Sequence, residues 1–127
     1  MISSKTENAG SFRQTLTVGG RSLEADTDGS APSPHDYFCA SLASCKALTS
    51  HVYAKAKGFA LERVEVDVDR DDSQEKQGKY TLRVSVRFFG ALSEEEKKKI
   101  YDAIQRCPVH KLMTTSEVTI ETAPFVA

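Results

Sequence analysis

The segment that most constrains the fold is a long helical pattern that begins at Ser33 and ends before Gly58. Ser33 can cap a helix, Pro34 suits the first helical position, and glycine commonly follows the last turn. Many small residues lie along this segment, so other elements can approach its backbone closely. We predict a central helix over residues 33–57. Apolar residues recur at helical spacings, and those expected to face the core are Phe38, Leu42, Cys45, Val52 and Ala56.

Alternating apolar and polar residues predict two β-hairpins. In the first, residues 12–18 and 21–26 flank a Gly-Gly pair, which is typical of a two-residue turn. In the second, residues 61–70 and 80–89 flank an exposed, charged turn.

The C-terminal third predicts further helices and a last strand. A capping box opens a helix after Ser93, residues 108–113 form a short helical turn, and residues 117–123 read as a strand. The element order ββ-α-ββ-α-β indicates an α+β fold with antiparallel sheets packed around the central helix. We expect one domain over residues 1–127, with residues 1–10 flexible.

Composition excludes several classes of function. The 17 basic and 18 acidic residues are interspersed and give a formal net charge of −1, so we expect no nucleic-acid partner. The sequence has neither the apolar segment of a signal peptide nor an apolar stretch that could span a membrane. Three cysteines are too few for a disulfide scaffold. We therefore expect a cytoplasmic protein that does not bind membranes.

Two of the cysteines suggest redox chemistry. Cys45 lies on the central helix, and Cys107 stands directly before Pro108, where the N-terminus of a short helix would favour a thiolate. A buried thiol and an activated thiol suggest a pair that cycles between dithiol and disulfide. Cys39 lies about 240° around the helix from Cys45, so we expect it only to pack. Lys46 lies about 100° away from Cys45 and is not expected to activate it.

Two motifs carry a resemblance to a known family. Residues 33–45 read SPHDYFCASLASC, and residues 107–110 read CPVH. Both motifs, at this separation and within this element order, resemble the OsmC/Ohr family of thiol proteins. The resemblance extends over roughly residues 12–123. It implies an OsmC-like fold and an intertwined homodimer.

The resemblance also implies an activity. Members of the family reduce organic hydroperoxides and hydrogen peroxide with a cysteine pair. Cys45 then corresponds to the peroxidatic cysteine and Cys107 to the resolving one, joined in a disulfide that an external thiol or dithiol reduces. No metal or organic cofactor is implied.

Activating residues follow from the same resemblance. The family uses an arginine near the first hairpin, for which Arg21 and Arg13 are the candidates here. It also uses a glutamate at the start of the central helix. That position holds His35, with Asp36 beside it. First-turn groups lie about 15 Å along the helix from Cys45, so they would act at the cysteine of a second chain.

Three alternatives remain at this stage. The chain could be an OsmC-fold binding or redox-sensing dimer with little peroxidase activity, as the altered glutamate position favours. Asp36 could serve only to neutralise the helix N-terminus. Cys107 and His110 could share a metal, but the only other histidines are His35 and His51, and we expect no metal site.

Overall fold

Three helices and five strands occur in residues 1–126, the part of the chain that the computed structural model describes, in the order β-β-β-α-β-β-α-α. The α+β class with antiparallel sheets is confirmed. The described chain forms two compact units. The first comprises Met1–Ser41 and Val68–Arg83, and the second comprises Leu42–Asp67 and the segment that begins at Val84.

A three-stranded antiparallel sheet belongs to the first unit. Its strands are β1 (Ile2–Thr6), β2 (Gln14–Val18) and β3 (Arg21–Ala25), in that order across the sheet. Val18 lies opposite Arg21, which confirms the predicted turn at the two glycines. Strand β1 is an addition to the prediction. Its polar sequence gave no strand signal, and its backbone pairs with β2 along all five residues.

The long helix α1 (Pro34–Lys57) has the predicted limits. At its start, the Asp36 backbone N–H donates to Ser33 Oγ at 3.1 Å, and the Ser33 N–H donates to Asp36 Oδ2 at 2.9 Å. At its end, the Phe59 N–H bonds the Ala54 carbonyl at 2.9 Å while Gly58 has a φ of 73°. This left-handed glycine satisfies carbonyls that the last helical turn leaves unpaired.

The buried face of α1 differs from the predicted one. Phe38 and Val52 are exposed, and the buried stripe recurs every three or four residues along Cys39, Leu42, Lys46, Ser50 and Ala54. The stripe accommodates two polar residues because both are hydrogen-bonded. The Ser50 hydroxyl donates to the Lys46 carbonyl at 2.8 Å, and the Lys46 ammonium has its own acceptors.

The second predicted hairpin is confirmed as β4 (Ala60–Asp71) and β5 (Thr81–Ala91), which pair in a two-stranded sheet. A short 3₁₀ turn, Glu75–Gln77, lies between them. Gly90 in β5 has a φ of 141°, and a Cβ there would overlap the Ala60 carbonyl oxygen. Only glycine permits so close an approach of the two strands.

Helices α2 (Glu94–Ile104) and α3 (Pro108–Thr114) follow in the second unit, and both were predicted. The capping box at Ser93 is complete on both sides. Ile100 and Ile104 are fully buried and pack with Ala54 in the core of this unit. Burial of each such side chain contributes about 1.5–3 kcal/mol relative to exposure.

The strand predicted over residues 117–123 is wrong. These residues have no regular secondary structure, and Val118 and Ile120 are exposed. Their alternation is typical of a strand, but a strand needs a neighbouring strand for its backbone hydrogen bonds, and no strand in residues 1–126 pairs with this segment. No helix in residues 1–126 is long and apolar enough to cross a membrane.

Candidate functional site

The predicted cysteine pair lies within the second unit. Cys45 is half-buried on α1, and Cys107 is fully buried as the residue that precedes α3. The two side chains are close enough for a hydrogen bond between the thiols, which raises the pKa of Cys107. All three cysteines are free thiols. The structure therefore brings together the two cysteines that the sequence paired.

The expected activation of Cys107 is wrong. Burial raises the pKa of the Cys107 thiol, and the neighbouring Cys45 raises this pKa further, while the His110 backbone and the Lys46 charge lower it. The net direction is upward because the thiol is completely buried, and burial is the largest influence on its pKa. The more exposed thiol of the pair is that of Cys45.

Lys46 is a site residue that the sequence reasoning missed. It is 2% exposed, and its Nζ donates to the Ile104 carbonyl at 2.8 Å. The same Nζ lies 3.1 Å from His110 Nδ1. Burial, and then the Lys46 charge, lower the pKa of His110. Lys46 lies four residues from both Leu42 and Ser50. Residues at this spacing share one face of a helix, so the sequence could have placed Lys46 on the buried face of α1.

A second cluster, the Arg70 cluster, lies in the first unit and consists of Asp36, Arg70 and Cys39. Arg70 Nη1 donates to Asp36 Oδ1 at 2.8 Å and lies 4.0 Å from Cys39 Sγ. The backbone N–H of Ser33, then the Arg70 guanidinium, hold the pKa of Asp36 below its usual value. The hydrogen bond to Asp36 raises the pKa of Arg70. Asp36 thus both caps α1 and holds an arginine.

The start of α1 also borders a cavity of about 370 Å³, lined by Pro34, His35, Phe38, Glu75 and Tyr80. His35 Nε2 and Glu75 Oε1 are 2.7 Å apart. The Tyr80 hydroxyl is buried, and no partner for it occurs in residues 1–126. Burial raises its pKa. The cavity combines apolar walls with a polar group that lacks a partner, a combination suited to a small organic molecule.

The two arginines predicted from the first hairpin have their described contacts within the first unit. Arg13 forms ion pairs with Glu24 and Asp26 and donates to the Ser30 hydroxyl at 2.7 Å. Arg21 is exposed at the start of β3. Both belong to the first unit, as do Asp36 and His35, whereas the cysteine pair belongs to the second.

The positions of the possible metal ligands are also known for residues 1–126. In residues 1–126, no three side chains of His, Cys, Asp or Glu are grouped so that they could hold a metal ion. His110, the residue that with Cys107 could have begun such a site, has its Nδ1 3.1 Å from the Lys46 ammonium.

Comparisons with known proteins identify relatives at the level of family and fold. Residues 27–123 match the family model described as OsmC-like protein. No curated protein matches the chain. The OsmC-like protein of Mycoplasma pneumoniae is 20% identical, with a TM-score of 0.75 over 91% of this chain and 86% of that chain.

Two further solved structures share the fold. The organic hydroperoxide resistance protein OhrB of Bacillus subtilis is 17% identical, with a TM-score of 0.62 over 91% of this chain and 90% of that chain. An organic hydroperoxide resistance protein from Legionella pneumophila, also described as a redox protein, is 20% identical, with the same TM-score and coverage.

Proposed function

Because this chain belongs to the OsmC-like protein family, we propose that it is a cysteine-based peroxidase that reduces organic hydroperoxides and hydrogen peroxide. The names of its structural neighbours support a general role in oxidative stress. The observation that carries the proposal is the adjacency of two free thiols, Cys45 and Cys107, one half-buried and one fully buried.

The proposed reaction has three steps. The Cys45 thiolate attacks the distal peroxide oxygen, the O–O bond breaks, and the alcohol or water leaves, so that Cys45 becomes a sulfenic acid. The Cys107 sulfur then displaces the hydroxyl from Cys45, which forms the disulfide and releases water. An external thiol or dithiol reduces the disulfide by exchange, with no metal or organic cofactor. We propose a cytoplasmic location for the cycle, because the cytoplasm keeps thiol reductants available.

The functional unit that we propose is a homodimer. On the second unit, the α1 side chains Leu48 and Val52 are exposed, as are Val118 and Ile120 near the C-terminus. A second copy of the chain could cover these apolar side chains in a dimer. A second copy would also offer a strand edge to the alternating residues 117–123.

We further propose that the first unit of one chain serves the cysteine pair of its partner. Asp36 holds Arg70 at 2.8 Å, and we add this arginine to Arg13 and Arg21 as a candidate that stabilises the Cys45 thiolate. His35 and the cavity beside it would then contact the organic group of the peroxide.

Mixed dimers test the shared site. Alone, chains carrying Cys45→Ser should be inactive, and chains carrying Arg70→Met should have about a tenth of the wild-type activity or less. A heterodimer has one site that lacks both groups and one intact site, so the mixture should recover activity. Activity that stays at the parental level in purified heterodimer, or a fully active monomer in sedimentation, would contradict the shared site.

A binding or redox-sensing dimer is the second candidate function. It is favoured by His35 at the position of the family's glutamate and by the raised pKa of Cys107. The two candidates differ in speed, because a peroxidatic thiol reacts with hydroperoxide much faster than free cysteine does.

Peroxide kinetics distinguish the candidates. Reduced wild type, Cys45→Ser and Cys107→Ser proteins are mixed with cumene hydroperoxide, tert-butyl hydroperoxide and hydrogen peroxide. We expect turnover only in wild type and a trapped sulfenic acid only in Cys107→Ser. Thiols that react no faster than free cysteine would favour the binding function, and an active Cys45→Ser variant would overturn the cysteine assignment.

A further inference from the structure

A buried cation without a carboxylate partner lies beside the cysteine pair. Lys46 is 2% exposed, and its hydrogen bonds are to a carbonyl and an imidazole, both uncharged groups. In residues 1–126 no carboxylate forms an ion pair with it. Burial of an ammonium without an anion is costly. Such a charge is best explained by an anion that appears beside it during function.

We propose that Lys46 is a positioning residue that stabilises the Cys107 thiolate in the step that forms the disulfide. This role rests on the proposed function and adds a residue to it.

The contacts of Lys46 fix its place relative to Cys107. The Ile104 carbonyl, at the end of α2, accepts from Lys46 Nζ at 2.8 Å and from the Cys107 backbone N–H at 3.3 Å. One oxygen thereby connects the ammonium to the backbone of the resolving cysteine. The end of a helix is also where a cation is favoured, since its carbonyls carry partial negative charge.

His110 completes the arrangement. Because an ammonium has no acceptor, His110 Nδ1 must accept from Lys46, so the neutral ring carries its proton on Nε2. Burial and the Lys46 charge lower the pKa of His110, so the ring stays uncharged. The His110 backbone hydrogen-bonds the Cys107 thiol and lowers its pKa, as does the Lys46 charge. Lys46 is thus the positively charged group among those that act on Cys107, and its charge lowers the pKa of the thiol.

Atoms and charges balance in the formation of the disulfide, and the charge of Lys46 does not change. Burial keeps Cys107 protonated in the reduced protein. Once Cys45 carries a hydroxyl as a sulfenic acid, the Cys107 thiol loses its proton and its sulfur attacks the Cys45 sulfur. The S–S bond forms, the S–O bond breaks, and the hydroxide takes up a proton and leaves as water. Lys46 remains an ammonium throughout.

The test removes the charge and measures Cys107 directly. In a Cys39→Ala, Cys45→Ser background, Cys107 is the only thiol, and its alkylation rate by iodoacetamide is followed against pH. Lys46→Met removes the ammonium, and Lys46→Gln removes the charge but keeps a donor. Lys57→Met, at the exposed last turn of α1, is the matched control.

We expect both Lys46 variants to raise the pH midpoint of Cys107 by about one unit, which is a tenfold loss of thiolate at a given pH. Lys57→Met should leave the pH midpoint unchanged. Lys46→Arg keeps a positive charge and should have a midpoint close to that of the background with Lys46. Circular dichroism checks that each variant is folded. If only one of the two neutral variants folds, that variant alone is enough for the test. A midpoint unchanged in every folded neutral variant would overturn the role of Lys46.

The consequence for the reaction is measured with both cysteines present. Diamide oxidises dithiols without peroxide, so the rate at which it forms the disulfide tests Lys46 even if the chain is not a peroxidase. We expect about a tenfold slower disulfide in Lys46→Gln. Sulfenic acid formation at Cys45 by peroxide should be unchanged. The sulfenic acid is measured in a Cys107→Ser background, where no resolving thiol consumes it. Its absence there would contradict the proposed function but not the role of Lys46.

Discussion

The Arg70 cluster and the cysteine pair each combine a positively charged side chain with a cysteine, but the charge is partly exposed in the first and buried in the second. In the first unit, Arg70 lies 2.8 Å from a carboxylate, and both side chains of that pair contact solvent. In the second unit, Lys46 is buried beside two thiols and bonds only uncharged acceptors. Exposed, paired charges contribute little to stability. A charge at the surface can thus orient a group at little cost, whereas the cost of burying Lys46 without an anion is the reason for the role that we propose for it.

The largest difference between the units is expected in stability. Ile104 is fully buried in the core of the second unit, whereas Leu23 in β3 is 42% exposed. Ile104→Ala should lower the free energy of unfolding by about 2–5 kcal/mol because it leaves a cavity. Leu23→Ala should lower it by less than about 1 kcal/mol. Urea denaturation of both variants measures the difference, and equal losses would remove the contrast in packing.

A smaller effect is expected on turnover from the Arg70 cluster. Arg70→Met should lower kcat/KM for an organic hydroperoxide about tenfold or more, since one charge that stabilises a thiolate is lost. Arg83→Met is the matched control, because Arg83 is an exposed arginine whose ion pair is with Asp71. Steady-state kinetics of the two variants, with melting temperatures alongside, separate the roles. Equal kinetics would place Arg70 outside the reaction.

The smallest effect concerns pH. The pKa of Asp36 is lowered in the folded chain by hydrogen bonds from the Ser33 backbone and from Arg70. Its contribution to stability is therefore complete above its unfolded pKa of about 4 and is lost as pH falls through the lower folded value. Asp36→Asn should melt below wild type at pH 7, and the gap should close below about pH 4. A gap that stays constant down to pH 2 would show that the carboxylate charge is irrelevant.

Local signals made most of the fold predictable from sequence. The caps at Ser33 and Ser93, the Gly-Gly turn and the two alternating hairpins depend on residues close in the chain, and the structure has each of them. The thiol pair was predictable for a different reason, since two motifs at a characteristic separation identified the family.

Features that depend on distant residues were not predictable. The spacing of α1 could have placed Lys46 on the buried face, but its acceptors at Ile104 and His110 are distant in sequence, and no periodicity in α1 reveals them. The pairing of Asp36 with Arg70 requires the start of α1 and the end of β4 to meet. The expected strand at 117–123 failed because alternation within a segment does not show whether another strand pairs with it, and no strand in residues 1–126 does.

The measurement that tests the central claim most directly is the disulfide map of the oxidised protein. Reduced protein is treated with one equivalent of organic hydroperoxide, free thiols are alkylated under denaturing conditions, and the peptides are identified by mass spectrometry. The account predicts one intramolecular disulfide between Cys45 and Cys107, with Cys39 recovered as an alkylated thiol. A disulfide that contains Cys39, or a protein in which Cys45 and Cys107 both stay free, would contradict it.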